Sequence, residues 1–229
     1  AVHQQTVIVG APKNDVVGTD AGAAYVFVQQ GEKWIQQAKL IAADAAIGDQ
    51  FGIAVTTEKD TAIVGAWLDD IAEPEIGAAI DAGSAYVFIR QKENWSQQTK
   101  FIADEPGVED HFGLVVALND LAVVVGAPDR DTIEGKDDPP IPSTGSVYSF
   151  ARAGEFWSPA ILATISEGSM PYDRFGGTIG MSGEKIIVGI HGDDSAGNDA
   201  GAVFIFDYVD LGLEVDPEPF SVEPNSGRS

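Results

Sequence analysis

Four aspartates hold the same place in four loops of this 229-residue chain. Asp15, Asp70, Asp131 and Asp194 each lie four residues beyond the end of a Val-Gly-Ala or Val-Gly-Ile run. Near the far end of each loop, two residues before a glycine, stand Asp20, Asp81, Ser143 and Asp199. Each loop can therefore bring two oxygen donors together, and converging oxygen ligands are what a hard cation such as Ca2+ requires. The third loop adds Asp129, Asp137 and Asp138 and the fourth adds Asp193, carboxylates that would repel one another without a cation. The competing chemistry for an aspartate in a loop is to accept backbone N–H groups and cap a turn. No loop has the dense acidic spacing of an EF-hand, so both readings stand at this level.

Other reactive constellations are missing from the sequence. With no cysteine there is no thiol nucleophile, thiolate metal site or disulfide. No Gly-x-Ser-x-Gly elbow, His-Glu-x-x-His pair or phosphate loop occurs, and His3, His111 and His191 share no ligand spacing. Nothing among 36 acidic residues singles out a pair for glycoside hydrolysis. The expectation is a protein that is not an enzyme. Its 13 basic residues leave a net charge of -23, which repels polyphosphates and makes nucleic acid an unfavourable partner. The most apolar stretch, Leu114 to Ala127, is broken by Asn119 and Asp120 and is too short to span a bilayer as a helix, so no membrane insertion is expected. The first residues have neither a basic start nor an apolar run, as when a signal peptide is absent or removed.

The elements that position the loops form a repeat. Phe51, Phe112 and Phe175 are 61 and 63 residues apart, and Trp34, Trp95 and Trp157 are 61 and 62 apart. Each unit offers four short β-branched or aromatic runs joined by Gly- and Asp-rich turns, the pattern of a four-stranded propeller blade. In the second unit the runs are Phe51 to Val55, Thr61 to Val64, Ala85 to Ile89 and Trp95 to Ile102; in the third, Phe112 to Val116, Leu121 to Val125, Ser146 to Phe150 and Trp157 to Ala163. The first unit starts at Thr6 without a Phe-Gly opening, and the fourth gives Phe175 to Ile179, Lys185 to Val188 and Ala202 to Phe206. Strands apolar on both faces place the core between blades. Asp49, Asp110 and Asp173, each two residues before the phenylalanine, are expected to tie the chain reversal between units, and Tyr25, Tyr86 and Tyr148 to pack.

These co-spaced motifs, Phe-Gly-x-x-Val, Ile/Val-Val-Gly-Ala-Pro, Gly-Ser/Ala-Ala-Tyr-Val-Phe and Trp-x-Gln-Gln, resemble the FG-GAP repeats of integrin α-subunits and, more closely, of bacterial surface proteins. The resemblance covers nearly all of residues 1 to 207 and implies an all-β propeller array of four blades, about 1–50, 51–111, 112–174 and 175–207, either closing alone or belonging to a larger ring. Integrin-type blades bind Ca2+ through an Asp-x-Asp-x-Asp-Gly loop between the first two strands. Here that place holds only short turns, Thr57 to Asp60, Leu118 to Asp120 and Ser182 to Glu184, so those ligands are not carried over.

Residues 208–229 read either as a closing strand, since Asp216-Pro-Glu-Pro-Phe220-Ser-Val222 echoes the unit opening, or as a linker to an IPT/TIG-like domain. The resemblance implies an extracellular or cell-surface module, Ca2+-stabilised if the loop acids bind metal. Its partners would be a protein or glycan on a surface, or copies of itself. A lectin is the alternative, with Trp67 and Trp157 as its aromatic candidates, and a hydrolase on the same scaffold is the remote one.

Overall fold

A computed structural model describes residues 1–73, 77–133, 139–158, 161–164, 170–195, 197 and 200–207. Among them there is no helix, and four antiparallel sheets follow one another along the chain. Blade one comprises β1 (Val2–His3), β2 (Thr6–Ala11), β3 (Ala23–Gln30) and β4 (Lys33–Leu40). Blade two comprises β5 (Val55–Glu58), β6 (Thr61–Ala66), β9 (Ser84–Gln91) and β10 (Asn94–Phe101), with a small ribbon of β7 (Ile71–Glu73) and β8 (Gly77–Ala79) in the loop between β6 and β9. Blade three comprises β11 (Val115–Leu118), β12 (Ala122–Ala127) and β13 (Ser146–Ala153), its outer edge formed by β14 (Phe156–Trp157) and β15 (Ile161–Ala163), both paired to β13. Blade four comprises β16 (Thr178–Ser182), β17 (Lys185–Ile190) and β18 (Ala202–Asp207).

Three details correct the sequence expectation. The Phe-Gly dipeptides lie outside the first strands, which start three or four residues later. Each phenylalanine instead forms a single parallel bridge to the glycine that opens the previous unit's third strand: Gly22 with Phe51, Gly83 with Phe112 and Gly145 with Phe175. In blade one the first-strand position is held by Val2–His3, paired to Thr6 and Val7. The Trp157 run is two short strands. The proposed closing strand or linker at 208–229 lies outside the described residues.

Every blade is built with two unlike faces. Second- and third-strand residues alternate, so Val7, Val9, Tyr25 and Phe27 share one face of blade one and Ile8, Ala24 and Val26 share the other. The aromatic face recurs as Ala62, Val64, Tyr86 and Phe88, as Val123, Val125, Tyr148 and Phe150, and as Ile186, Val188, Phe204 and Phe206. The aliphatic face recurs as Ile63, Ala85 and Val87, as Val124 and Val147, and as Ile187, Val203 and Ile205. The core forms where the aliphatic face of one blade meets the aromatic face of the next, at all three seams. The crossing phenylalanine packs edge-on to its blade's aromatic pair: Phe51 lies 5.4 Å from Tyr86 and 5.9 Å from Phe88, and Phe112 5.1 Å from Tyr148. Each such buried ring is worth about 1.5 to 3 kcal/mol.

Polar clamps flank the apolar seams and explain the Trp-x-Gln-Gln motif. Trp95 Nε1 donates to Gln37 Oε1 of the preceding blade at 2.9 Å, and Trp157 Nε1 to Gln98 Oε1 at 3.0 Å. Arg90 and Arg152 lie over these indoles, 5.3 and 5.2 Å from the ring centres, and reach back to Thr6 Oγ1 and Thr61 Oγ1. One side chain thus covers an indole and bonds the neighbouring blade.

At each crossing the backbone of one unit enters the previous one. Gly52 N donates to Gly65 O and Gly113 N to Gly126 O. A Cβ on Gly65 would lie 1.9 Å from Gly113 O, and one on Gly10 would lie 1.9 Å from Gly52 O. Gly65→Ala is therefore expected to destabilise the fold by more than about 3 kcal/mol. Gly180→Ala, where no atom lies within 4 Å of the added carbon, is expected to change stability by less than about 0.5 kcal/mol; denaturant melts of both variants compare the two.

The crossing aspartates close the turn before them. Asp49, Asp110 and Asp173 are buried and accept the backbone N–H of Ala46, Gly107 and Met170. Burial raises all three carboxyls, opposed by those N–H groups, and with Asp69 nearby pushes Asp49 up to about 6. A carboxyl that titrates higher folded than unfolded binds more protons in the native state, so its contribution makes stability fall as pH rises from about 4 to about 6. Asp49→Asn keeps an acceptor for Ala46 and removes the charge. Its melting temperature is expected to gain on the wild type through that window and to hold the gain above pH 6; a pH series of thermal melts measures it.

Candidate functional site

The loop aspartates are found in one recurring arrangement. Asp15 Oδ1 accepts the backbone N–H of Asp20, Asp70 Oδ1 that of Asp81, and Asp131 Oδ1 that of Ser143, each at 2.9 Å. The residues so held are left-handed, with φ of 52°, 53° and 49°. Their carbonyls accept N–H groups from the next crossing: Gln50 to Asp20, His111 to Asp81 and Arg174 to Ser143. The loop acid shapes the turn that receives the following blade. In the fourth loop Asp193 accepts both the N–H and the hydroxyl of Ser195, and the Asp194 carbonyl accepts Gly197 N–H. Asp137, Asp138 and Asp199 lie outside the described residues.

Among the described residues no group of three or more acidic or histidine side chains converges as a metal site would. In the first three loops the recurring Asp gives one carboxylate oxygen to a backbone N–H, which is the bonding of a turn cap. Asp129 is held by two side chains of the protein itself, the imidazole of His111, with Nδ1 at 2.8 Å, and the guanidinium of Arg174, with Nε at 2.8 Å. Burial works to raise its carboxyl, and the His111 hydrogen bond with the Arg174 charge outweighs that, leaving it below the usual carboxylate range.

Asp129 belongs to a string of side chains that crosses two seams at the loop end. Gln50 Oε1 accepts Trp67 Nε1 at 3.3 Å, the Trp67 ring lies 4.7 Å from the His111 ring, His111 bonds Asp129, and Asp129 pairs with the exposed Arg174. Gln50, His111 and Arg174 all occupy the x of Asp-x-Phe-Gly, and all are left-handed, with φ of 52°, 56° and 58°. Because the x residue is the one that changes inside a constant motif, it was visible in the sequence as a place where side chains differ while the backbone does not. A His–Asp pair is two-thirds of a hydrolytic triad, but no hydroxyl is hydrogen-bonded to His111 among the described residues. The donors, acceptors and indole of this string suit binding.

Beneath it, blade two carries a charged network. Lys100 Nζ lies 2.7 Å from both Asp44 Oδ2 and Asp69 Oδ2, and the Tyr86 hydroxyl, with one proton to donate, lies 2.8 Å from Asp69 Oδ2 and 2.9 Å from Asp44 Oδ1. Burial works to lower the Lys100 ammonium, and its bonds to the two carboxylates overcome this and raise it. The corresponding position is Asn14 in blade one, bonded to Tyr25 and Lys39, and Arg130 in blade three, 3.9 Å from Asp110. In the first three loops the residue directly before the recurring Asp therefore bonds to a strand of its own blade, Asn14 to Tyr25, Asp69 to Tyr86 and Arg130 to Ser146.

If Asp70 acts as a turn cap, Asp70→Ala is expected to cost about 1 kcal/mol and Asp70→Asn, which retains an acceptor, less than half of that. Thermal melts with millimolar Ca2+ and with chelator should then coincide for wild type and Asp70→Asn; a Ca2+-dependent rise that Asp70→Asn abolishes would instead make Asp70 a ligand.

No curated protein matches the chain. The FG-GAP repeat family matches residues 34–88, 95–150 and 165–206, each match ending on the third strand of a blade. With most of its length covered by these three matches and its blades arranged as the motifs require, the chain belongs to the FG-GAP repeat family.

Proposed function

We propose that this propeller-type module acts outside the cell or at its surface as a non-enzymatic binding module, recognising a protein or glycan with the loop end of blades two to four. The observation that carries the reading is the Gln50–Trp67–His111–Asp129–Arg174 string, in which dissimilar side chains are set on fixed left-handed positions at blade crossings. Rigid placement lowers the ordering cost of binding, and the excess of acidic residues keeps the remaining surface solvated.

One feature favours a carbohydrate-binding reading. An open groove of about 620 Å³ is lined by Gln98, Glu155, Phe156 and Trp157 among others, and Phe156 is 76 % exposed. Trp67 and Trp157 themselves are engaged, by Gln50 and His111 and by Gln98 and Arg152. Arrays of glycans and of purified surface proteins separate the two readings. Binding at the loop end is expected to weaken at least about tenfold with Trp67→Ala or Arg174→Ala and to be indifferent to Phe156→Ala. The lectin groove gives the reverse order, and equal binding by all three variants sinks both.

A further inference from the structure

The hydrogen bonds that seat each crossing leave aliphatic side chains exposed at the loop end. Gly48 N donates to Thr19 O and Glu109 N to Ile80 O, the same bond in two successive crossings. The residues just before these donors are Ile47, 75 % exposed, and Val108, 63 % exposed. On the receiving loops Val17 and Ile80 are exposed as well, and a Cβ on Gly18 would lie 2.7 Å from Ile47 Cγ1, which places Ile47 against the Val17 loop. The crossing itself does not call for an aliphatic residue there. The third one makes the same bond, Tyr172 N to Pro142 O, with Pro171 at the equivalent place. Aliphatic residues held out in solvent at recurring positions mark a surface that another molecule covers.

Charge identifies the kind of molecule. The loop-end segments of the first two seams, 12–22, 41–54, 67–83 and 102–114, carry 13 acidic residues and one basic one, Lys13. The rest of residues 1–101 carries four acidic and six basic residues. The negative charge of these blades is therefore gathered at the end where Ile47, Ile80 and Val108 are exposed, and the exposed acids Asp104, Glu105 and Glu109 flank Val108 directly. We propose that this surface docks a basic segment of a partner protein, whose apolar side chains cover Ile47, Ile80 and Val108 while its lysine or arginine residues face the carboxylates. The inference rests on the loop-end binding reading, since Ile47 and Val108 stand three residues before Gln50 and His111, and narrows it to a protein. A glycan, neutral or acidic, has no use for aliphatic tips among carboxylates. A second copy, at a charge of -23, is repelled, and residues 208–229, with five acidic residues and one basic, carry the wrong sign.

The probes are a peptide alternating lysine and leucine and a peptide of lysine alone with the same charge, titrated by fluorescence anisotropy against the full 229-residue chain at rising salt. The alternating peptide is expected to bind at least about tenfold more tightly, and to weaken as salt rises. Ile47→Ser with Val108→Ser, both at exposed positions, should keep the wild-type melting temperature and weaken that peptide at least about tenfold. Glu105→Gln with Glu109→Gln should weaken it by about threefold or more, whereas Glu32→Gln with Glu93→Gln, which removes the same charge from turns at the opposite end, should change it by less than about twofold. Equal binding of the two peptides, equal effects of the two charge pairs, or indifference to the Ile47 and Val108 substitutions overturns the proposal. If in that case an array ligand still depends on Trp67 and Arg174, the loop-end reading stands and only the basic partner falls; if no ligand depends on any of these residues, both fall.

Discussion

A close approach of backbone to backbone at each blade crossing sets the geometry of everything else. Gly10, Gly65 and Gly126 sit near the ends of second strands with no room for a side chain, because the crossing glycine of the next unit, Gly52, Gly113 or Gly176, presents its carbonyl there. Two of these crossing glycines donate in turn to the second strand of their own unit. One peptide therefore spaces two neighbouring blades, and its position leaves little freedom in how their faces meet. The aromatic and aliphatic faces can interdigitate at every seam because that spacing recurs, and dense packing tolerates little variation in it.

Given that constraint, each blade's two faces have different duties. The aromatic pair of the third strand, joined by the crossing phenylalanine, is a large rigid surface, and the facing Ile, Val and Ala residues are small enough to fit against it. Arg90 and Arg152 cover the indoles of Trp95 and Trp157 at the seam edge while anchoring to Thr6 and Thr61. In blade one the matching position is Gln29, and Trp34 remains 47 % exposed, so the clamp is confined to seams internal to the chain.

Much of this was legible in the sequence because it is periodic. The spacing of Phe51, Phe112 and Phe175 identifies four units, and apolar runs on both faces place the core between them. The exact start of the first strands was not legible: Phe51 has the composition of a strand residue, yet its backbone is diverted to bridge Gly22, a tertiary demand that overrides local propensity. The ribbon of Ile71–Glu73 with Gly77–Ala79 was missed because three residues per strand are too few for an alternation to register. The loop acids stand out in the sequence by their recurrence. Recurrence alone could not separate a ligand from a turn cap, since both ask for the same carboxylate at the same place.

The x position of Asp-x-Phe-Gly shows how much a conformational cost can reveal. A left-handed backbone costs a residue with a Cβ about 1 to 2 kcal/mol, and glycine would remove that cost. The neighbouring positions of the same crossing do use glycine wherever a side chain cannot be accommodated, as at Gly22 and Gly52. At x the chain instead keeps Gln50, His111 and Arg174, three unlike polar side chains that Trp67 and Asp129 link to one another. If these positions served the turn alone, the least strained residue would suffice in all three. That they differ from each other while the turn does not separates the scaffold from what it displays: the backbone of the crossing belongs to the seam, and the side chain at x belongs to the surface.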